Sequence, residues 1–176
     1  MTRLVDVNGV ALPEVEAPSA EKLRVYGDLL FLAFRSPRHA GMTVRTLRSY
    51  LQPAIESGQF RVFRFDDVPR GMFTWAYLNP EAERRLIEGA PLRPEDWNSG
   101  GRLWIVDLIA PYKGLMQSIG RWIRQPGNVT DSEFLFRRVR DGNATHRIVH
   151  VDFRKDRIGR VLSEVEFLAE LGTGDR

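Results

Sequence analysis

The chain has 176 residues, the length of one domain with a single hydrophobic core. Its 43% hydrophobic and 28% charged residues lie near the averages of globular proteins, which excludes a disordered or collagen-like chain. The absence of cysteine excludes disulfides and thiolate metal sites, and three histidines are few for a histidine-rich site, so we expect no metal.

Periodic apolar residues predict two helices near the N-terminus. The first begins after Ser19 as its cap and ends at Ser36-Pro37. The second begins at Thr43 and ends at Gly58, although Pro53 inside it removes one backbone hydrogen bond.

Strands and further helices follow. In chain order we predict the strands Phe60–Phe65 and Gly71–Leu78 joined by the turn Asp67–Arg70, a helix from Asn79 to Gly89, a polar connector Pro91–Gly101, the strand Leu103–Ile109, a helix Leu115–Ile123, a hairpin of Phe134–Arg140 and His146–Phe153, and a final helix Val161–Leu171.

These elements indicate an α+β, or mixed α/β, fold in which helices flank one central, mostly antiparallel sheet. We expect residues 1–18 to form a mobile arm, residues 19–171 a single domain and residues 172–176 a polar tail.

No segment has the character of a membrane span or a secretory signal. The longest apolar run, Leu103–Ala110, is far shorter than the roughly 20 residues of a transmembrane helix. The N-terminal region carries three acidic residues and two prolines where a signal peptide is apolar. We therefore expect a cytoplasmic protein with no integral membrane segment.

The charge is modestly basic and dominated by arginine. The chain has 26 basic and 23 acidic residues, a formal net charge of +3. An arginine excess can follow from codon composition, or it can serve recognition of carboxylates and phosphates. Such a surface suits an acidic protein partner and leaves nucleic acid open as a ligand.

Two ionisable residues are candidates for chemistry. Asp107 lies in the apolar run Trp104–Ile109, where a buried carboxylate requires an opposite charge or several hydrogen bonds. His39 follows a helix end, in a segment without helix or strand signature, and its side chain titrates near neutral pH. The structural alternatives are an ion pair with an arginine for Asp107 and an exposed loop position for His39.

Other motifs give weaker signals. His146 and His150 share one face of a predicted strand, and we interpret both as structural or surface residues because no third ligand accompanies them. The sequence has no serine-hydrolase elbow, dinucleotide-binding motif or P-loop. Tyr112, Lys113 and Gly114 precede a predicted helix, where backbone N–H groups could hold an anion or a thioester oxygen.

Four segments form a recognisable set. They are Ser36-Pro37-Arg38-His39, Leu51-Gln52-Pro53-Ala54-Ile55, Glu95-Asp96-Trp97-Asn98-Ser99-Gly100 and Trp104-Ile105-Val106-Asp107-Leu108-Ile109-Ala110-Pro111. In this order they resemble the RTX toxin-activating lysine acyltransferases of the hemolysin-activator type. The last two segments are the most specific, because tryptophans, the acid and the proline coincide within one short stretch.

The resemblance implies an enzyme that transfers a fatty acyl chain from acyl carrier protein to ε-amines of internal lysines in an RTX-type protoxin, before export. It implies a fold similar to the GNAT acetyltransferases, allows a homodimer, and makes the acyl carrier protein thioester a co-substrate with no bound cofactor. The family's catalytic histidine and aspartate fall on His39 and Asp107. The substrate-binding candidates are Ser36, Tyr112, Lys113 and Gly114.

The chain departs from the family's pattern after the histidine. Ala40-Gly41-Met42-Thr43 stands where a basic residue, Asn and Trp-Pro are frequent. This difference leaves open the target protein and the acyl-chain length. It is also open whether the acyl chain is transferred directly or through an acyl-enzyme. A further open point is whether Asp107 orients the imidazole or binds the incoming amine.

Two other functions remain as alternatives. A GNAT enzyme using acetyl-CoA on a small amine would need a pyrophosphate loop, which Pro111-Tyr112-Lys113-Gly114 does not supply. A nucleic-acid-binding module would use a set of basic residues near aromatic ones. That set is Arg121, Arg124, Arg137, Arg138 and Arg140.

Overall fold

The computed structural model describes residue 7 and residues 18–140, 143–155 and 159–173. The described elements, in chain order, are α1 (Ala20–Ala33), α2 (Pro37–Ala40), α3 (Val44–Glu56), β1 (Phe60–Phe65), β2 (Val68–Leu78), α4 (Pro80–Ile87), a 3₁₀ turn (Pro94–Trp97), β3 (Arg102–Ile109), α5 (Leu115–Ile123), β4 (Glu133–Val139), β5 (Thr145–Asp152), β6 (Arg160–Leu162) and α6 (Glu164–Thr173). Most of the predicted arm and the last residues of the predicted tail lie outside the described residues.

One open sheet contains all six strands in the order β1-β2-β3-β4-β5-β6. Neighbouring strands are antiparallel except β3 and β4, which are parallel. These two strands share only the residue pairs Trp104–Leu135 and Ile105–Phe136. The predicted α+β class with a mostly antiparallel sheet is confirmed, and likeness to the GNAT fold stays a prediction.

The helices divide between the two faces of the sheet. Apolar side chains of α1, α3, α4 and α6 pack on one face, here called the helix-rich face, around residues such as Met72 and Trp104. α5 packs on the opposite face, here called the α5 face, through Ile119 and Ile123. Among the described helices, none combines the length and the apolar character that a bilayer span needs.

Side-chain caps fix the starts of three helices as predicted. Ser19 accepts a hydrogen bond from the backbone N–H of Lys22 before α1, and Thr43 accepts one from Thr46 before α3. Asn79 caps α4 in the same way, with the proline at the first helical position.

The first hairpin turns earlier than predicted. Asp66 and Asp67 have positive φ angles of 47° and 61°, so they form a two-residue turn and β2 begins at Val68 rather than Gly71. Positive φ at both central residues matches the twist of the flanking strands, and Asp tolerates this conformation better than most residues.

The final helix also begins later than predicted. Val161 belongs to β6, which pairs with β5, and α6 starts only at Glu164. The reason is a reciprocal cap: the backbone N–H of Glu166 donates to Ser163 Oγ, and the backbone N–H of Ser163 donates to Glu166 Oε2 at 2.7 Å.

A buried acid of α4 supports β3. Glu83 is fully buried, accepts a hydrogen bond from the indole N–H of Trp104 at 2.7 Å and pairs with Arg102 at 3.0 Å. Burial raises the pKa of Glu83, and the contacts with Trp104 and Arg102 partly offset this effect.

The segment before β3 is held by its own side chains. Asp96 Oδ2 accepts the backbone N–H of Arg93 at 2.8 Å. Ser99 Oγ accepts the backbone N–H of Asn79 at 3.0 Å and donates to the carbonyl of Asp96 at 2.8 Å. Polar residues of the E-D-W-x-S-G sequence therefore join the 3₁₀ turn to the end of β2.

Gly100 completes this junction because it has no side chain. A Cβ at this position would lie 2.4 Å from the carbonyl oxygen of Leu78 and 2.5 Å from the backbone nitrogen of Asn79. Both neighbours are main-chain atoms, so a side chain requires the backbone to move.

Gly100→Ala should therefore lower the free energy of unfolding by about 2 kcal/mol, as overpacking does. Chemical denaturation followed by circular dichroism measures the change. Gly120→Ala in α5 is the matched control, since its Cβ meets nothing within 4 Å and alanine favours a helix. Equal stability of the two variants would contradict the close approach.

Candidate active site

A β-bulge in β3 precedes the predicted aspartate. Thr74 of β2 lies opposite Asp107, whereas the next residue, Trp75, lies opposite Ile105. Val106 is therefore an extra residue in β3 and has no partner in β2. Bulges of this kind change the face to which later side chains point.

The bulge directs Asp107 to the helix-rich face. Ile105 and Leu108 contact the cluster on the α5 face, while Val106 and Ile109 belong to clusters on the helix-rich face. Strict alternation would place residues 106 and 108 on the same face. Because of the bulge, Asp107 instead shares a face with its neighbour Val106 and with Ile109.

His39 lies in a short helix rather than in the predicted loop. It is the third residue of α2, and it is only 2% exposed, which excludes the alternative of an exposed loop histidine. Pro37 provides the first residue of this turn, where a missing N–H costs nothing. Ser36 precedes it and is also buried.

The structure brings His39, Asp107 and Ser36 into one hydrogen-bonded row. His39 Nε2 lies 2.8 Å from Asp107 Oδ2, and Ser36 Oγ lies 2.7 Å from His39 Nδ1. An ionised carboxylate can only accept, so Nε2 carries the proton of the neutral imidazole. Nδ1 then has the free lone pair and accepts the hydrogen bond of the Ser36 hydroxyl.

Asp107 is buried but well supplied with donors. It is 3% exposed, and its Oδ1 accepts from Arg38 Nη1 at 3.0 Å and from the backbone N–H of Leu108 at 2.9 Å. Burial alone would raise the pKa of Asp107. The hydrogen bond with His39, the charge that His39 carries when protonated and the charge of Arg38 together outweigh burial and lower the pKa below its usual value.

Sequence reasoning identified the polar neighbours of this row only in part. It offered an ion pair with an arginine as the structural alternative for Asp107, and the structure identifies that arginine as Arg38. Asn143 lies between the two predicted strands of the second hairpin and is not among the predicted site residues, although its side chain contacts Arg38 and Tyr50. Adjacency to His39 is a sequence signal for Arg38. Nothing in the sequence connects Asn143 to Arg38 or to the aspartate of β3, the strand that ends at Ile109.

The other predicted substrate-binding residues line a surface groove and are not part of the hydrogen-bonded row of Ser36, His39 and Asp107. Tyr112, Lys113 and Gly114 line a groove of about 520 Å³ together with Arg70. Tyr112 also packs against the apolar cluster of the helix-rich face, and Arg70 lies over its ring. In the described residues, no hydrogen bond joins the three to His39 or Asp107.

The histidines of β5 have surroundings that the sequence did not predict. His150 Nε2 lies 2.8 Å from Glu133 Oε2, and the described residues bring Asp152 near enough for a three-ligand group. The sequence did not indicate these neighbours because Glu133 and Asp152 are far apart in the chain and lie opposite each other only through the pairing of β4 with β5. Arg154 pairs with both carboxylates, so basic groups already balance their charge.

The arginines proposed for nucleic acid do not form one exposed set. Arg137 is only 8% exposed, and it donates to the carbonyl oxygen of Asn143 and to Asn143 Oδ1. It is therefore not available to a phosphate backbone.

Comparison with known proteins identifies one family. Residues 18–151 match the profile of the RTX toxin acyltransferase family. Two curated relatives cover most of the chain. The RTX-II toxin-activating lysine-acyltransferase ApxIIC of Actinobacillus pleuropneumoniae is 32% identical over 142 residues, 73% of this chain and 88% of the relative. The protein-lysine palmitoyltransferase CyaC of Bordetella bronchiseptica is 30% identical over 170 residues, 91% and 85% of the two chains.

A third relative matches a shorter part. The leukotoxin-activating lysine-acyltransferase LktC of a Pasteurella haemolytica-like species is 37% identical over 87 residues, which is 49% of this chain and 53% of the relative.

The lowered pKa of Asp107 predicts how stability depends on pH. A carboxyl group whose pKa is lower in the folded than in the unfolded chain stabilises the fold above the unfolded value, near 3.9, and this contribution is lost as the pH falls. Wild type should be about 3 kcal/mol more stable than Asp107→Asn at pH 7, as when one partner of a buried ion pair is removed. The difference should shrink as the pH falls below about 4.

Urea denaturation of both proteins at several pH values between 7 and 3 would measure this difference. A difference that does not shrink between about pH 4 and pH 3 would contradict the ionised state of Asp107.

Proposed function

The chain belongs to the RTX toxin acyltransferase family, and we propose that it transfers a fatty acyl chain from acyl carrier protein to lysine ε-amines of an RTX-type protoxin. The observation that carries this proposal is the buried contact of 2.8 Å between His39 and Asp107. It supplies a proton acceptor with an ionised partner, which an attacking amine requires. The relatives described above are named for lysine acylation, two of them as toxin activators.

Lysine needs such help because its amine is normally protonated. With a reference pKa near ~10.4, about one lysine in 2,500 is neutral at pH 7. Once the neutral amine attacks the thioester carbonyl, its nitrogen becomes far more acidic, and an imidazole is then a competent acceptor. Base assistance by His39 therefore belongs to the transition state.

The proton path runs through Ser36. The free lone pair of His39 is on Nδ1, which faces the Ser36 hydroxyl at 2.7 Å. Ser36 accepts the proton of the attacking amine while it passes its own proton to Nδ1. Asp107 stabilises the resulting imidazolium through Nε2, and this assignment makes it an orienting group rather than a binding site for the amine.

The thiolate of the carrier is the leaving group of the acyl transfer and takes up the proton of the amine. The new C–N amide bond forms as the C–S bond of the thioester breaks, and the thiolate of the carrier leaves. The proton held by the imidazolium returns to this thiolate. The products are an acylated lysine and the free thiol of the carrier, and this direct route requires no bound cofactor.

The groove lined by Tyr112, Lys113 and Gly114 is assigned to substrate binding. Its walls are largely aromatic and aliphatic side chains, and Arg70 and Lys113 add positive charge. This combination suits an acidic carrier protein with an apolar acyl chain. The proposal includes action in the cytoplasm before export of the protoxin, and it allows a homodimer.

Matched substitutions test the proposed roles. His39→Gln and Asp107→Asn keep side-chain size, and each should lower the rate of acyl transfer by several hundred-fold, the range expected for general-base catalysis. Ser36→Ala should also lower the rate, because Nδ1 then loses its link to the amine. Mass spectrometry of the target lysines, after incubation with the carrier thioester, gives the rates.

His150→Gln is the control, since that histidine contacts Glu133 and, among the described hydrogen bonds, none of His39, Arg38 or Asn143, so this change should leave the rate unchanged. Wild-type rates in both His39→Gln and Asp107→Asn would remove the assignment of this pair.

The acyl donor is tested separately. Palmitoyl thioesters of acyl carrier protein and of coenzyme A would be offered at equal concentration with one protoxin. The carrier thioester should react at least tenfold faster, because a protein donor adds contacts with the basic groove. Lys113→Glu should reduce this preference by charge repulsion. Equal rates with both donors would overturn the carrier as partner while leaving lysine acylation intact.

A further inference from the structure

Asn143 joins two arginines to the helices above the sheet. Its Oδ1 accepts from Arg38 Nη2 at 2.9 Å and from Arg137 Nη2 at 2.9 Å. Its Nδ2 donates to Tyr50 Oη at 2.8 Å and to the carbonyl oxygen of Gly89 at 3.2 Å. An amide side chain has two donor hydrogens and an acceptor oxygen with two lone pairs, so all four positions are used.

The backbone of Asn143 is also fixed. Its φ angle of 66° lies in the left-handed region, which Asn tolerates better than most residues. Its carbonyl oxygen accepts from Arg137 Nη1 at 3.0 Å. Two residues later, Thr145 Oγ1 donates to the carbonyl of Ile87 at 2.6 Å. The acceptor oxygen offered to Arg38 therefore has a fixed position.

Arg38 depends on this acceptor more than the other groups of the site do. Its side chain is 31% exposed, and holding a long side chain in one conformation costs rotamer entropy. The two terminal nitrogens are divided between Asn143 and Asp107. With the Asn143 contact removed, one bond to Asp107 alone would have to hold the guanidinium against hydration.

We infer that Asn143 is a positioning residue that holds Arg38 on Asp107 and thereby sets the direction of the carboxylate toward His39. This inference rests on the proposed function, because it concerns the orientation of the same pair. Asp107 Oδ1 accepts from Arg38 and Leu108, which leaves Oδ2 for His39. Loss of Arg38 removes one of the two donors to Oδ1 and frees the carboxylate to rotate.

Asn143→Gly is the first test. Glycine adopts the positive φ angle without strain, so the main-chain bond to Arg137 is kept while the amide is lost. We expect kcat to fall about tenfold, the lower range for loss of a group that orients a catalytic residue, with KM for donor and protoxin unchanged. Ser163→Ala is the control: it removes the reciprocal cap of α6, should lower Tm, and should leave kcat unchanged.

A double-mutant cycle with Arg38→Met separates positioning from general destabilisation. If Asn143 acts through Arg38, Asn143→Gly should change kcat by less than twofold in the Arg38→Met background. A full tenfold effect in that background would overturn the inference. An unchanged kcat in Arg38→Met alone would also overturn the inference, because Asn143 would then have nothing to position. This outcome can be measured even if Asn143→Gly does not fold.

A spectroscopic measurement distinguishes this inference from the proposed function. The ¹⁵N chemical shifts of the His39 imidazole report its hydrogen bond to Asp107 without any substrate. They should move in Asn143→Gly and in Arg38→Met, and to the same extent. Identical shifts in wild type and both variants would overturn the inference. Wild-type protein that fails to use the carrier thioester would instead overturn the donor in the proposed function.

Discussion

The site depends on one buried negative charge. An ionised carboxylate in the interior of a sheet is stable only when donors replace the water it has lost, and Asp107 receives them from three sources. Leu108 lies next to it in the chain, whereas Arg38 and His39 come from α2. Satisfying this carboxylate therefore fixes α2 against the sheet, and it brings a histidine to a buried position where a base can work apart from bulk water.

One of the two most specific segments of the sequence has a structural role rather than a role in the proposed site. In the E-D-W-x-S-G stretch, Asp96 and Ser99 form hydrogen bonds with backbone groups, and Gly100 allows its segment to approach the end of β2 closely. None of these three residues contacts His39 or Asp107 in the described hydrogen bonds. The stretch instead sets where β3 begins, and the place of Asp107 in the sheet follows from that starting point. The segments that identify the family therefore contain structural residues such as these as well as the proposed catalytic pair, His39 and Asp107.

Local signals in the sequence predicted most of the elements and made His39 and Asp107 candidates, and the family resemblance selected the two as a pair. Caps such as Ser19, Thr43 and Asn79 act within three residues, so they can be recognised without the fold. The aspartate was conspicuous because its strand is otherwise apolar. The bulge at Val106 and the contacts of Asn143 depend on pairing between distant segments, and no local pattern encodes them. The late start of α6 is a different case, since the spacing of Ser163 and Glu166 is itself a local capping signal.

The short parallel contact between β3 and β4 divides the sheet into two ladders of three strands. Only two residue pairs join them, so separate cooperative opening of each ladder costs less than in a fully paired sheet. His39 and Asp107 both belong to the first ladder and its helices, while Asn143 belongs to the second. The hydrogen bond between Arg38 and Asn143 therefore joins the two ladders across this seam, in addition to the two residue pairs of the sheet and the apolar side chains that pack across it.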